Sequence, residues 1–278
     1  MRSHAEKAKI FKDLHHGSDP FVMANVWDAG TARLFAGLGY KALATTSAGF
    51  AFFNGWRDGA GDFGLSEHLD HARKIVEAVD LPINGDLENG YSDDPEGVAG
   101  TIRQAAEAGL VGCSIEDTHP GDDKYYSFDH AVARIEAAAA AARALPDAFT
   151  LTARADGLIV GHYDLAEAIR RLQAFAAAGA DVVYAPYLKD LDSIRAVCKA
   201  VDTPVNHLGG LGVPGETMAA LKTAGVSRVS LGGSTARVAF GALHHVGASI
   251  LETGDFEAFG DTPGWKPIFR AIRAGTPE

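Results

Sequence analysis

Two acidic segments in the first half of the chain carry the residue types that bind a hard divalent metal ion. Asp86 and Glu88 follow one short apolar run, and Glu116 and Asp117 end another. A carboxylate at the end of a buried strand is costly to desolvate unless a cation or several hydrogen bonds compensate it. Because oxygen-only ligands suit Mg²⁺ first and Mn²⁺ second, we predict a carboxylate-bound metal at one mouth of a parallel β/α fold.

Apolar runs typical of strands alternate about eight times with segments of helical periodicity. Several of the helical segments end at a glycine, such as Gly39, Gly109 or Gly179, a common helix C-terminus. This order predicts an α/β fold of the (β/α)₈ TIM barrel type. A doubly wound open sheet is the alternative, but no G-x-G-x-x-G turn follows the first predicted strand. The predicted strands are residues 21–26, 41–46, 81–85, 110–115, 149–153, 181–185, 203–206 and 227–231.

Two regions depart from this simple alternation. Residues 51–66 are a long glycine-rich connection, predicted to lack regular structure, and whether part of it closes over a ligand stays open. After the eighth strand, residues 235–251 and 265–274 are predicted helices in excess of what one barrel position needs, and their apolar surface predicts packing against another subunit. We therefore expect one barrel domain over residues 1–278, with a C-terminal helical extension used in oligomerisation.

The bulk composition argues against several classes of protein. With 278 residues, 47% of them hydrophobic, the chain can bury a large core. Its formal charge of -11 argues against nucleic acid or an anionic membrane as the main partner. No apolar run approaches the ~20 residues of a membrane span, and no signal-type apolar segment follows the amino terminus. With Cys113 and Cys198 as its two cysteines, we expect free thiols and a cytoplasmic protein.

Polar residues gather at the predicted carboxyl ends of the strands, the face on which barrel enzymes build their sites. Each of them alone also has a structural interpretation: Asp28 could cap the following helix, Asp117 or Asp156 could pair with an arginine, and His207 could be a loop residue. Their joint placement on one rim is harder to obtain from structural needs alone. The residues concerned are Trp27, Asp28, Ser47, Asp86, Glu88, Glu116, Asp117, Arg154, Asp156, Asn206 and His207.

The chemistry of this set favours a 2-oxo acid as ligand, because such an acid chelates a metal through its carbonyl and carboxylate oxygens. Arg154 could bind a carboxylate bidentately, while Ser47 and two backbone N–H groups after it could hold the other end. Metal and donors would then stabilise an enolate as a bond beside the carbonyl breaks. The candidate metal ligands, partly through water, are Asp58, Asp86, Glu88 and Glu116. The candidate substrate-binding residues are Trp27, Ser47, Ala48, Gly49, Arg154 and Asn206, and the candidate catalytic residues are Ser47, Asp58, Glu116 and Arg154.

Around these residues the sequence resembles the isocitrate lyase and phosphoenolpyruvate mutase superfamily. The resemblance implies a Mg²⁺-dependent barrel whose last helix is exchanged in a dimer of dimers, acting on C–C or C–P bonds through a pyruvate-enolate-like species. It implies Asp86 as direct metal ligand, Glu88, Glu116 and Asp58 as ligands through water, and Ser47 and Arg154 as substrate-binding residues. The matching stretches, in order over nearly the whole chain, are residues 25–30, 44–50, 86–91, 114–117, 152–156, 178–181, 204–206 and 228–232.

One loop departs from the pattern of the superfamily. The lyases carry a Lys-x-Cys-Gly-His motif after the fourth strand, but residues 119–126 contain no cysteine and do not match the mutase loop either. His119 and Lys124 are candidates to substitute for it, with a solvated loop as the alternative interpretation. We therefore predict a C–C lyase or decarboxylase acting on a small 2-oxo or 2-hydroxy carboxylate through a metal-stabilised enolate. The alternatives are a C–P bond enzyme of the phosphonopyruvate hydrolase or mutase type, and a protein that binds a 2-oxo acid without turnover.

Overall fold

A computed structural model of the protein describes residues 1–119, 124–159, 161–260 and 262–277. Eight strands, each parallel to its neighbours, close into one barrel in sequence order, so the predicted (β/α)₈ fold is confirmed. The strands are β1 (Phe21–Asn25), β2 (Leu43–Ala44), β3 (Ile83–Asp86), β4 (Gly112–Glu116), β5 (Thr150–Arg154), β6 (Val182–Tyr184), β7 (Val205–Leu208) and β8 (Arg228–Ser230).

Helices follow the strands around the outside of the barrel and bury the outer faces of the sheet. The helices are α1 (His4–His15), α2 (Ala29–Gly37), α3 (Ser47–Asn54), α4 (Leu65–Ala78), α5 (Pro95–Glu107), α6 (Phe128–Arg143), α7 (Leu165–Ala177), α8 (Leu191–Ala200), α9 (Met218–Ala224), α10 (Ser234–Thr253) and α11 (Trp265–Ala274). Among the described residues, none of these helices is both long and apolar enough to cross a lipid bilayer.

The first helix lies across the amino-terminal end of the barrel. Phe11 of α1 packs in a buried cluster with Met23 of β1 and Val111. The His4 ring also contacts the carbonyl oxygen of Leu110 at 3.0 Å, just before β4. Because α1 covers this end, the opposite end, where the strands finish, is the one left for a binding site.

The segment after β2 is a helix, and the predicted structureless connection is therefore shorter than expected. The Thr46 hydroxyl caps α3 by accepting a hydrogen bond from the Gly49 N–H at 3.3 Å, and α3 ends at Gly55, whose φ is 72°. A side-chain cap and a left-handed glycine are ordinary helix boundaries. The remaining connection to α4 still contains Asp58. Asp28, after β1, also caps α2 as expected, because its Oδ1 accepts a hydrogen bond from the Thr31 N–H at 2.6 Å.

The last two helices behave differently from each other. Within α10, Ala236 is the one buried residue among those described, and apolar side chains such as Leu251 are exposed over 91% of their surface. The exposed apolar surface that the sequence indicates is thus present, while exchange of a helix between subunits and the tetramer remain predictions. In contrast, α11 packs against α2 of the same chain, where a Cβ on Gly37 would lie 1.8 Å from the Ala271 carbonyl oxygen.

Replacing Gly37 with alanine is expected to destabilise the protein by about 1–3 kcal/mol, because the two helix backbones would have to separate. The measurement is the melting temperature together with the urea midpoint. Gly247→Ala in α10 is the control, since a Cβ there meets nothing within 4 Å and alanine favours helix. Equal melting temperatures for the two variants would show that α11 does not depend on this close approach.

Candidate active site

The carboxyl ends of the strands surround a cavity of about 450 Å³ that is rich in charged side chains. Five acidic and three basic residues line it, a formal excess of two negative charges. One divalent cation would neutralise this excess. The charged lining residues are Asp58, Asp86, Glu88, Glu116, Asp156, Arg154, Arg228 and Arg237.

Asp86, the last residue of β3, is fixed through both of its carboxylate oxygens. Its Oδ1 accepts hydrogen bonds from Arg154 Nη1 at 2.7 Å and from Ser114 Oγ at 3.3 Å. Its Oδ2 accepts from the backbone N–H and the hydroxyl of Ser47, at 3.2 and 3.3 Å. The start of α3 and the ends of β4 and β5 thus hold this carboxylate in one orientation toward the cavity.

Arg154 ends β5 directly beside Glu116 in the ladder with β4, and three acids share its guanidinium. Besides the bond to Asp86, Nη2 lies 3.2 Å from Glu116 Oε2. Nε and Nη2 donate to the two carboxylate oxygens of Asp156, at 3.1 and 2.6 Å. The bidentate edge expected to bind a substrate carboxylate is therefore occupied by the chain's own Asp156, which confirms the structural interpretation of that residue.

A fully buried ion pair supports Asp156 from behind. Asp117 Oδ1 accepts a hydrogen bond from the Asp156 N–H at 2.8 Å. Asp117 Oδ2 accepts from Arg171 Nη1 at 2.9 Å and from the Tyr163 hydroxyl at 3.0 Å. The expected pairing of Asp117 with an arginine is thus confirmed, and through Asp156 this pair positions Arg154.

The charged forms of Glu88, Asp58 and Glu116 are electrostatically unfavourable in the cavity. Burial, and then the neighbouring Asp86 and Asp58, raise the pKa of Glu88 to about 7. Burial also raises the pKa of Asp58 and that of Glu116, the latter despite the attraction of Arg154. For Arg154 itself, burial alone would lower the pKa, but Asp156, Glu116 and Asp86 outweigh it and raise the pKa above its ordinary range. One guanidinium is thus too little positive charge for this set of carboxylates.

We expect the metal-free protein to lose stability as the pH rises from about 4.5 to about 7. Because the pKa of Glu88 is raised from its ordinary 4.5 to about 7, the folded state binds more protons than the unfolded state in this window. The loss reaches on the order of 3 kcal/mol above pH 7. Urea unfolding in chelator across this range should show the decline in the wild type and a flatter profile in Glu88→Gln.

The control for this experiment is Glu252→Gln, at an exposed position of α10. Its pH profile should follow that of the wild type. If Glu88→Gln also follows the wild type, Glu88 does not carry the strained charge that burial beside Asp86 gives it.

The donor set fits a hydrated divalent ion better than a fully dehydrated one. In the described part of the chain, no three His, Cys, Asp or Glu side chains come together closely enough to ligate one ion directly. Mg²⁺ commonly contacts one or two carboxylates and keeps several of its waters. The charge excess, the preorganised Asp86 and the raised pKa of Glu88 suit such an ion, while direct contact by Asp86 and water-mediated contact by the other acids remain predictions.

The family model for phosphoenolpyruvate phosphomutase matches residues 11–251, which is most of the chain. This chain belongs to the phosphoenolpyruvate mutase family. The superfamily resemblance read from the strand-end motifs is therefore confirmed, and structural neighbours include a member of the phosphoenolpyruvate mutase/isocitrate lyase superfamily.

Three similar proteins illustrate the chemistry found on this barrel. A crystal structure from Burkholderia cenocepacia J2315, provisionally assigned as a lyase or mutase, is 46% identical with a TM-score of 0.91, over 96% of this chain and 95% of that one. Oxaloacetate decarboxylase of Paraburkholderia xenovorans (strain LB400) is 32% identical over 81% of this chain and 76% of its own. Phosphonopyruvate hydrolase in complex with oxalate and Mg²⁺ is 26% identical with a TM-score of 0.81, over 95% and 94% of the two chains.

The candidate substrate-binding residues divide into two groups. Ser47, Ala48 and Asn206, like Arg154, line the cavity. Trp27 and Gly49 are not among the described residues that line it: Gly49 lies on the buried side of α3, where an added Cβ would come within 3.1 Å of the Trp27 Cβ. The Gly49 N–H is already used by the Thr46 cap, because the segment is helical where the sequence indicates a loop.

The loop expected to replace the missing lyase motif is described only in part, because residues 120–123 lie outside the described residues. His119 Nδ1 is 3.3 Å from Asp93 Oδ1, and the backbone N–H of His119 donates to the Lys124 carbonyl oxygen at 2.9 Å. His119 and Lys124 are not among the described residues that line the cavity. Their substitution for the missing acid remains a prediction, as does closure of the 51–64 segment, from which Phe52, Asp58 and Gly59 line the cavity wall.

The floor of the cavity contains a buried arginine that the sequence analysis did not single out. Arg228, at the start of β8, donates from Nε to Asn206 Oδ1 at 2.7 Å and from Nη2 to the Thr152 hydroxyl at 3.0 Å. Its Nη1 contacts His15 Nε2 at 3.1 Å, and burial lowers the pKa of Arg228 to about 9. The signal that could have located it is a charged residue within the predicted eighth strand, residues 227–231. Arg237 on α10, also missed, is exposed and lines the opening.

Proposed function

We propose that the protein is a Mg²⁺-dependent carbon–carbon lyase or decarboxylase for a small 2-oxo or 2-hydroxy carboxylate, acting in the cytoplasm as a homotetramer. The observation that carries the proposal is the convergence of four strand-end acids and Arg154 on one cavity with two excess negative charges. The similarity to an oxaloacetate decarboxylase, which is 32% identical over 81% of this chain, supports cleavage of a C–C bond.

When bound, Mg²⁺ would act as a Lewis acid toward the carbonyl and carboxylate oxygens of a 2-oxo acid. Asp86 would hold the ion, and the Ser47 hydroxyl and Arg154 keep the Asp86 carboxylate oriented. Arg154 would also supply fixed positive charge where negative charge develops in the transition state. In decarboxylation of a 3-carboxylated 2-oxo acid, the C3–C4 bond breaks, its electron pair moves toward the carbonyl, carbon dioxide leaves and a proton adds at C3.

Cleavage of a C–P bond is the second candidate, supported by the likeness to phosphonopyruvate hydrolase over nearly the whole chain. Binding without turnover is the third, because the lyase loop motif is missing. The test offers oxaloacetate, 2-methylisocitrate and phosphonopyruvate in parallel and measures pyruvate release with Mg²⁺ and with chelator. Metal-dependent pyruvate from oxaloacetate or 2-methylisocitrate supports C–C cleavage, and release only from phosphonopyruvate overturns it in favour of the second candidate. No pyruvate release, with metal-dependent rises in melting temperature, would favour binding without turnover or a substrate outside this set.

A further inference from the structure

The rim of the cavity has a charged side and an apolar side. Asp58 follows β2, and the other candidate metal ligands and Arg154 lie at the ends of β3, β4 and β5 or just after them. Beyond β5, three exposed apolar side chains line the same cavity on consecutive segments: Ile159 after β5, Tyr187 after β6 and Leu211 after β7. We call these three residues the apolar arc. Within the described residues, no charged side chain that follows β6 or β7 lines the cavity.

The side chains of the apolar arc remain partly exposed although they line the cavity. Ile159, Tyr187 and Leu211 keep 39%, 49% and 37% of their surface accessible. The accessible part of this apolar surface contributes nothing to the stability of the barrel, because it is not removed from water on folding. A ligand that covers them would gain this burial on binding.

Backbone strain at Tyr187 is a second, independent observation. In the described part of the chain, left-handed backbone at non-glycine positions occurs at Glu88, Tyr91 and Tyr187. Two of these belong to the acidic segment after β3, so strain coincides with the site. At Tyr187 the φ of 66° places a half-exposed side chain at the cavity, and a left-handed backbone at a non-glycine residue costs of order 1–3 kcal/mol. Such strain is typical of residues placed for a ligand.

We propose that the substrate carries an apolar alkyl or aryl substituent on the carbons beyond the 2-oxo group, and that the apolar arc binds it. This inference rests on the proposed function. In an eight-stranded barrel, β7 lies across from β3, so the tail of a 2-oxo acid that is held at Asp86 and crosses the cavity extends toward β7 and its neighbour β6. This tail then meets Tyr187 and Leu211, where no charge would have to be desolvated.

The test measures binding of a homologous series of 2-oxo acids by calorimetry in the presence of Mg²⁺. The probes are pyruvate, 2-oxobutanoate, 2-oxopentanoate and 2-oxohexanoate. We expect the Kd to fall by about fourfold for each added methylene, the gain typical of burying one such group. Leu211→Asn and Tyr187→Gly should flatten this dependence; glycine at 187 accepts the left-handed backbone, so the fold is retained. Leu38→Asn, an exposed leucine outside this cavity, is the control and should keep the full dependence.

The outcomes separate this inference from the function on which it rests. Metal-dependent pyruvate binding with a Kd that does not change along the series overturns the apolar arc and leaves the proposed function standing. A steep series that persists in both arc variants overturns the location of the tail. If no member of the series binds, in chelator or in Mg²⁺, the proposed function fails and the inference fails with it.

Discussion

Replacing Asp86 with alanine is expected to abolish metal-dependent ligand binding and to lower kcat/KM by about a thousandfold or more. The substitution removes the cavity acid that Ser47, Ser114 and Arg154 orient through both oxygens, and with it the direct contact proposed for the metal. Losing one fixed electrostatic contact to a transition state costs about 10²–10³ in rate, and a bound metal contributes several kcal/mol. Calorimetric titration of the 2-oxo acid with Mg²⁺ present and absent measures the first effect directly.

The control for this variant is Asp192→Ala, which removes a carboxylate that is exposed over 91% of its side chain and pairs with Arg195 on the surface. Binding and turnover should match the wild type. Melting temperatures are recorded for both variants, since loss of ligand binding is informative only in a folded protein. Unchanged ligand binding in folded Asp86→Ala would remove Asp86 from the metal site.

Replacing Arg154 with methionine is expected to lower the free energy of unfolding by about 3–5 kcal/mol at neutral pH, the range for breaking buried ion pairs. The change leaves Asp86, Glu116 and Asp156 in close proximity without the guanidinium that all three contact. Because burial raises the pKa of Glu116, its protonation as the pH is lowered toward 4 reduces the mutual repulsion, and the deficit should shrink. Urea unfolding of wild type and variant at pH 4 to 8 measures both quantities.

Arg195→Met is the matched control, because this arginine pairs with an exposed carboxylate and such pairs contribute about 0–1 kcal/mol. Arg154→Lys adds a second comparison, since a single ammonium keeps the charge but cannot reach all three acids in the same geometry. We expect it to recover part of the stability and little of the activity. Full stability in Arg154→Met at pH 7 would show that the three acids do not depend on this arginine.

The barrel could be predicted from sequence because its strands are buried and its helices are amphipathic, so both periodicities are strong. The second strand is shorter than predicted, Leu43–Ala44, since Thr46 already caps α3. That helix was missed because residues 47–54 are mostly small or aromatic and show no polar and apolar alternation. Thr46 and Gly55 were the signals that could have located its ends.

The strand-end acids were predictable for a geometric reason: in a parallel barrel all carboxyl ends meet at one face. The hydrogen-bond and ion-pair partners of these side chains were not predictable, because they depend on side-chain rotamers and strand register. Arg154 was expected to bind substrate with the edge that Asp156 occupies. Arg228 was overlooked since nothing in the linear sequence shows that its acceptors, Asn206 and Thr152, point to the same place inside the barrel.

The contact between Arg228 and His15 helps to determine which end of the barrel is open to solvent. Burial and the nearby Arg228 lower the pKa of His15 to about 3, so the ring is neutral, and its Nε2 accepts from the guanidinium while Nδ1 donates to the Phe11 carbonyl oxygen at 2.8 Å. Water would otherwise have to hydrate the underside of Arg228. Because α1 supplies these contacts, the barrel is a closed well rather than a tunnel. Substrate and product must therefore pass through the same opening, past Arg237 and Tyr187, in opposite directions.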